Sequence, residues 1–299
     1  MIHSPVDEGI KSLSSLLAGL VPFGCGEGLF VSDIQQDSRK VSPGSLFVAL
    51  NGLHRHGLEF AEQAIMRGCS AIIYDPEGGG LDLVGAVKTV LSIPVESLSA
   101  KLPEISKRFF GNPSRDLVVV GITGTNGKTS TSHFLVEAAS SKLSGAVIGT
   151  LGWGLPGDLS ETEHTTPDPI EIQRILANLK NSGCELVAIE ASSHGLHQGR
   201  LAGVDFKGAV FTNITRDHLD YHLSMEAYIE AKMGILEFDA LSFVVSNADD
   251  PYQVSVNERV REGVKHIRFS GRSGGNGMIS AESVKQTGNG NDFEFCFEE

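Results

Sequence analysis

No run of about 18 apolar residues occurs, so no segment reads as a membrane-spanning helix. The four cysteines (Cys25, Cys69, Cys184 and Cys296) are scattered, with no CxxC or CxxxC pair. That spacing supports neither a zinc site nor a disulfide framework, and it fits a reducing compartment. Asp7 and Glu8 interrupt the N-terminus before a short apolar stretch, so no signal peptide is expected. Positive charge is scarce: 24 Lys and Arg against 37 Asp and Glu give a net charge of -13. Such a surface repels nucleic acid and anionic membranes but leaves room for a local basic pocket. The expectation is a cytoplasmic monomer with no nucleic-acid and no membrane partner.

What is present is ordinary globular material. Apolar residues make up 40% and charged residues 20%, enough to build a core and to exclude wholesale disorder. At ~150 residues per domain the length suggests two domains. Glycine stands out at 35 of 299 residues without a collagen-like period, which points to tight turns and phosphate loops.

Residues 1–114 read as one α/β unit. It holds a helix at 12–20, a buried strand at 45–50, a helix at 58–67 stopped by Gly68, a strand at 70–74 and a loop at 75–80. A helix at 98–110 then runs into Gly111-Asn112-Pro113. From 115 to 299 the rhythm becomes βαβ. Strands are expected at 117–122, 145–150, 185–191, 208–213 and 242–246, with helices from 128, at 169–181 and at 224–238. A Gly/Asn/Ser-rich tail from Gly271 carries two further strands, 278–284 and 292–297. Continuous apolar runs such as Leu117–Ile122 suit strands buried on both faces of a mostly parallel sheet.

The strongest motif is Gly121-Ile-Thr-Gly-Thr-Asn-Gly-Lys-Thr129 between such a strand and a helix. That is the context of a P-loop, whose glycines let backbone N–H groups wrap phosphate at a helix N-terminus. Gly124, Thr125, Asn126, Gly127, Lys128, Thr129 and Ser130 are therefore the expected ATP-binding residues. Lys128 would reach the β/γ-phosphates and the Thr129 hydroxyl would take Mg2+. The usual spacing places Gly at position 122, which is Ile here. No Asn-Lys-x-Asp segment specifies guanine. On residue type alone, Glu190 at a strand end, His218 and the helical Lys232 could each be plain surface or structural groups.

Further segments carry a resemblance. They are Asp37-Ser-Arg39 with Pro43-Gly-Ser-Leu-Phe-Val-Ala-Leu50; His164-Thr-Thr-Pro167; Glu190-Ala-Ser-Ser-His-Gly-Leu-His-Gln-Gly-Arg200; and Thr212-Asn-Ile-Thr-Arg-Asp-His-Leu-Asp-Tyr-His222 with Ala231-Lys232. With the phosphate loop, and in this order, the chain resembles the Mur ligases of peptidoglycan and cell-wall biogenesis. The resemblance is to the branch that adds the third amino acid, apart from the folylpolyglutamate synthases.

The resemblance implies an N-terminal α/β UDP-substrate domain (1–114) followed by a P-loop ATP-binding domain with a mostly parallel sheet (115–299). The implied activity is ATP-dependent amide formation through an acyl phosphate. It would join meso-diaminopimelate or L-lysine to UDP-N-acetylmuramoyl-L-alanyl-D-glutamate. ATP and Mg2+ are the implied cofactors. Lys128, Glu190, His218 and Lys232 become candidate catalytic residues, and Thr129, Glu190, His218 and Lys232 the candidate metal set. Lys232 is carbamylated in this reading. Ser38, Thr165, Thr166, Ser192, Gln198 and Arg200 become candidate substrate contacts, with Leu53, His54 and Arg55 in a second loop. His56 precedes Gly57 there, where the family more usually has an acidic residue. Asn247-Ala-Asp-Asp250 reads either as a nucleotide neighbour or as a turn. The family's C-terminal amino-acid-binding domain and its Asp-Asn-Pro-Arg motif are expected to be absent, and the central domain incomplete. The alternative is therefore a truncated, non-catalytic remnant that binds nucleotide and UDP-sugar.

Overall fold

A computed structural model describes residues 9–272, 278–288 and 290–297. The chain forms two compact units, each described separately. One contains the residues up to Pro113 together with Asp168–Asn178; the other contains Ser114–Pro167 and the chain from Leu179 onward.

In the first unit four parallel strands lie in chain order: β1 (Asp33–Gln35), β2 (Ser45–Ala49), β3 (Ala71–Tyr74) and β4 (Leu91–Pro94). Every residue of β2 and β3 is buried. Side chains alternate across a strand, so Leu46, Val48, Ala71 and Ile73 share one face with Leu98, Leu102, Ile105 and Phe109 of helix α1 (Leu98–Phe109). Phe47, Ala49, Ile72 and Tyr74 face the other way, onto Leu58, Ala61 and Ala64. β2 and β3 thus read as apolar runs because both sheet faces are covered there.

Two local expectations change, and two strands were not expected. The helix expected at 12–20 shrinks to Leu13–Leu16, because Gly19, Gly24, Gly26 and Gly28 all turn with positive φ just beyond it. The helix expected at 58–67 divides into a 3-10 turn, Gly57–Phe60, and the helix Ala61–Met66. β1 and β4 carry no apolar run that would reveal them in the sequence; β4 ends in Pro94.

The second unit is built on ten strands, which we number β5 (Val118–Thr123), β6 (Gly145–Gly149), β7 (Gly152–Leu155), β8 (Asp158–Ser160), β9 (Leu186–Glu190), β10 (Gly208–Phe211), β11 (Phe243–Asn247), β12 (Lys265–Ser270), β13 (Ile279–Thr287) and β14 (Gly290–Phe297). Their order is β8-β7-β6-β9-β5-β10-β11-β12-β13-β14. Pairing is parallel from β6 through to β13 and antiparallel only at the two ends. The fold is α/β with a mostly parallel sheet, as expected. The hairpin β7–β8 and strand β12 escaped the sequence reading, β7 and β8 being short and glycine-flanked around Gly157. The helix expected at 224–238 is α-helical only over Met225–Met233 and continues as a 3-10 turn, Gly234–Glu237.

Val120, Ile122, Val147, Leu186 and Ala188 form the core of this sheet with Val136 from helix α2 (Lys128–Ala139). In-register pairing sets Glu190 of β9 against Ile122 of β5, and Phe211 of β10 against Thr123. The carboxyl ends of β9, β5 and β10 therefore finish side by side, where ligands gather in parallel sheets. Among the described residues no helix is long and apolar enough to cross a membrane.

Candidate functional site

β5 ends at Thr123, residues 124–127 form the loop, and α2 starts at Lys128. Gly124 has φ +145, and a Cβ on it would overlap Thr212 Oγ1, so only glycine fits. The loop is fastened to the segment after β10. Thr125 N donates to Asn213 O at 2.7 Å and Asn126 N to Asn213 Oδ1 at 3.0 Å. Thr212 Oγ1 and Asn213 Nδ2 donate to Asn126 O at 2.7 and 3.0 Å. Thr125 Oγ1 donates to Thr215 O at 3.1 Å and accepts from Thr215 N at 2.9 Å. No side chain caps the 12-residue α2, whose cap position is Gly127. Its first N–H groups and its positive dipole end are the groups that could hold an anion. Thr129 and the exposed Ser130 lie in that first turn.

Two lysines converge on this loop. Lys128 Nζ donates to Gly124 O and Thr125 O, both at 2.9 Å. Lys232 Nζ donates to the same Gly124 O at 2.7 Å. Lys232 is 1% exposed, and its Nζ stands 4.5 Å from the Tyr228 ring centroid. Burial, reinforced by the Lys128 charge and opposed by Asp217, pushes its amine down to about 7. Burial also lowers Lys128, against the attraction of Glu190 and Asp217. Tyr228, on the same helix, meets Thr125 Oγ1 through its hydroxyl at 3.0 Å. The helix around Lys232 packs inward, which its sequence pattern does not disclose.

Glu190 is 2% exposed. Its Oε1 accepts from Thr150 N at 3.0 Å and its Oε2 from Thr150 Oγ1 at 3.1 Å. A Cβ at Gly149 would overlap Oε1, so a larger residue there would displace this carboxylate from Thr150. The substrate-side candidates form one chain of hydrogen bonds from this point. Thr165 Oγ1 lies 3.1 Å from Thr150 Oγ1. Thr166 Oγ1 donates to Glu190 O at 2.7 Å and lies 2.9 Å from Ser192 Oγ. Arg200 Nη1 donates to Thr166 O at 2.8 Å, and its Nε donates to Gln198 Oε1 at 2.8 Å. Thr166 is 1% exposed, and its hydroxyl is engaged by Glu190 O and Ser192 Oγ. Ser192 Oγ also accepts from Gly195 N, capping the short helix α3 (Ser193–His197). Ser38 lies in the other unit, buried, with its hydroxyl donating to Gln63 Oε1 at 2.6 Å. His54 and Arg55 share an exposed loop with Leu53.

His218 is exposed and holds φ +49 at the start of the one-turn helix α4 (Leu219–His222). Its N–H donates to Asp217 Oδ1 at 2.9 Å, and its Nε2 lies 3.5 Å from Asp217 Oδ2. Its ring meets His194, which in turn meets Tyr221 and His222, while Tyr221 meets His197; the sequence pattern places none of these four in the site. Burial lowers both His194 and His222. His222 is anchored by its Nε2 at 3.0 Å from Ser193 Oγ. Thr150 is the other residue missed; the only hint was its place at the end of a buried strand.

Among the described residues no group of three or more His, Cys, Asp or Glu is arranged to hold a metal ion. The donor chemistry decides what fits a divalent cation here. The Glu190 carboxylate and the Thr129 hydroxyl suit it. Lys232 as an amine does not, but as a carbamate it would supply a second carboxylate. Asn247-Ala-Asp-Asp250 is both a turn and a brace. Asp250 Oδ2 accepts from Ile214 N at 2.6 Å and Asn247 Nδ2 donates to Thr212 O at 3.2 Å, which holds the segment beside the phosphate loop.

Residues 122–299 match the Mur ligase middle domain, and residues 31–110 match the Mur ligase family, catalytic domain. The UDP-N-acetylmuramoyl-L-alanyl-D-glutamate–2,6-diaminopimelate ligase of Ectopseudomonas mendocina is 46% identical over 228 residues, covering 75% of this chain and 46% of its own. That of Nitrosomonas europaea is 40% identical over 281 residues, covering 89% and 53%. A solved structure of a ligase of the same name superposes with a TM-score of 0.80 at 28% identity, covering 96% of this chain and 57% of that one. The chain spans about half the length of these relatives.

Proposed function

This chain belongs to the Mur ligase family, and on that premise we propose that it is the nucleotide- and UDP-substrate-binding part of an ATP-dependent amide-forming ligase acting in cytoplasmic peptidoglycan synthesis. The substrate is UDP-N-acetylmuramoyl-L-alanyl-D-glutamate, and the amino acid added is diaminopimelate, which the relatives' names print as 2,6-diaminopimelate, in its meso form, rather than L-lysine. The observation that carries the reading is the convergence of Lys128 and Lys232 on Gly124 O at the mouth of a glycine loop and a helix N-terminus.

In the reaction, a carboxylate oxygen of the glutamyl residue attacks the γ-phosphorus and the bond to ADP breaks. The amine of the incoming amino acid then attacks the acyl carbon, loses a proton and expels phosphate. Lys128 supports the first step by transferring its ammonium from Gly124 O and Thr125 O to the β/γ-phosphate oxygens, while the α2 N–H groups hold the phosphates in line. Mg2+, when bound, neutralises phosphate charge, and Thr129, Glu190, His218 and carbamylated Lys232 would hold it. Carbamylation suits the depressed amine. Neutral Nζ adds to the carbon of CO2 and releases one proton, and the remaining N–H can still donate to Gly124 O. Gln198 and Arg200 present an amide and a forked cation to the anionic peptide end of the substrate. Ser38 contributes on the uridine side.

Titration calorimetry tests the reading. The chain is expected to bind ATP·Mg2+ and, separately, UDP-N-acetylmuramoyl-L-alanyl-D-glutamate. Lys128→Ala should weaken the nucleotide at least tenfold and leave thermal unfolding unchanged. Equal nucleotide affinity in wild type and variant would end it.

A further inference from the structure

Tyr221 touches both sides of the site, although neither its position in the sequence nor the proposed chemistry gives it a task. Its hydroxyl lies 3.0 Å from Gln198 Nε2 and 3.0 Å from His197 Nδ1. The directions are determined by donor chemistry. Arg200 Nε can only donate, so Gln198 turns Oε1 toward it and Nε2 toward the tyrosine. The tyrosine oxygen accepts from Gln198 and has its own hydrogen for His197. On its other side the Tyr221 ring lies against His194, centroids 4.1 Å apart and planes at 39°. His194 in turn meets His218 edge-on at 4.8 Å and 86°. Tyr221 lies in the single turn of α4, and His218 is the cap residue at its start.

Gln198 is exposed and long, so it would otherwise sample many rotamers, whereas Arg200 is already held at one end by Thr166 O. The phenol fixes Gln198 directly, and Gln198 in turn gives the Arg200 guanidinium its second anchor. We propose that Tyr221 is a positioning residue that holds the Gln198–Arg200 pair in its substrate-binding pose by its hydroxyl and backs His218 through the His194 ring. The inference rests on the reading of Gln198 and Arg200 as substrate contacts.

The test combines binding with NMR on the full chain. Tyr221→Phe removes only the hydroxyl. It should weaken UDP-N-acetylmuramoyl-L-alanyl-D-glutamate about fivefold, the loss of one hydrogen bond of about 1 kcal/mol. ATP·Mg2+ affinity and the melting temperature should stay at wild-type values. In the double variant with Gln198→Ala, Tyr221→Phe should add less than twofold, because the two act through one linkage. Wild-type substrate affinity in Tyr221→Phe, or full additivity, would overturn the proposal. A wild-type chain that binds no UDP-substrate would instead refute the substrate reading. The linkage is then read without ligand, from the Arg200 Nε–H and Gln198 side-chain amide resonances. These should shift in Tyr221→Phe, and unchanged resonances would overturn the proposal on that route. Tyr221→Leu, lacking the ring as well, should in addition displace the His194 and His218 imidazole signals that Tyr221→Phe leaves in place. If the leucine variant does not fold, the phenylalanine arms decide alone.

Discussion

Both units place a glycine-rich loop after a parallel strand, buried throughout in β3 and from its second residue onward in β5, and the two loops are held in different ways. After β3 the chain reads Asp75-Pro-Glu-Gly-Gly-Gly80 and opens a helix of four residues, Gly80–Leu83. After β5 it reads Gly124-Thr-Asn-Gly127 and opens the 12-residue α2. The first loop is acidic and satisfied from within. His56 Nδ1 accepts from Leu58 N at 3.0 Å, so its Nε2 carries the hydrogen and donates to Asp75 O at 2.9 Å. That dual use is the physical account of a histidine at position 56. The second loop receives two ammonium groups on one carbonyl and leaves the helix end uncapped. Glycine after a strand therefore marks a tight turn. Cations and a long helix N-terminus are what turn it into an anion site.

The largest expected effect on this contrast is at Lys128. In the complete enzyme Lys128→Ala should lower ATP-dependent turnover by at least a hundredfold, about 3 kcal/mol of transition-state stabilisation, measured as phosphate release. Next comes Gly124→Ala. The backbone conformation and the overlap with Thr212 Oγ1 together should cost about 2–3 kcal/mol, read as a drop in denaturant midpoint with nucleotide binding lost in parallel.

His56→Ala sharpens the comparison from the other side. It leaves Leu58 N and Asp75 O without partners and should cost about 1–2 kcal/mol of stability in denaturant titration. ATP·Mg2+ affinity should not change, and a loss of nucleotide affinity would show that the acidic loop is not merely structural.

The smallest effect is a pH slope. The folded chain holds the Lys232 amine near 7, whereas in the unfolded chain it sits near 10.4. Between those values the unfolded chain binds a proton that the folded chain does not, so stability rises with pH. In CO2-free buffer the wild type should gain on Lys232→Met by about 1 kcal/mol per pH unit from pH 7.5 to 8.5. Parallel stability profiles for the two proteins would show that the amine is not held neutral.

Much of the architecture could be read without coordinates. The apolar runs of β2, β3, β5, β6, β9, β10 and β11 have the signature of strands covered on both faces, and the glycine loop before Lys128 stands out by its spacing. Elements with weak local patterns were lost. β1 and β4 are short and partly polar, the β7–β8 hairpin is glycine-flanked, and β12 alternates Lys265, His266, Arg268 with apolar residues. At the site, Lys128 was legible from its motif. Glu190, His218 and Lys232 were singled out through resemblance, since each alone looks like an ordinary charged or polar residue.

The pattern of apolar residues and glycines was enough to specify a parallel α/β chain with a phosphate loop, because burial on two faces and positive φ are local demands that write themselves into residue choice. The surroundings of Glu190, Thr150, Lys232 and Tyr221 are made by long-range neighbours. Glu190 meets Thr150 from 40 positions away, and Lys232 reaches Gly124 across 108. A Lys on a helix turns from solvated surface into a depressed amine only when folding buries it beside another cation. Burial and electrostatic neighbourhood belong to the assembled sheet, and no window of sequence contains them.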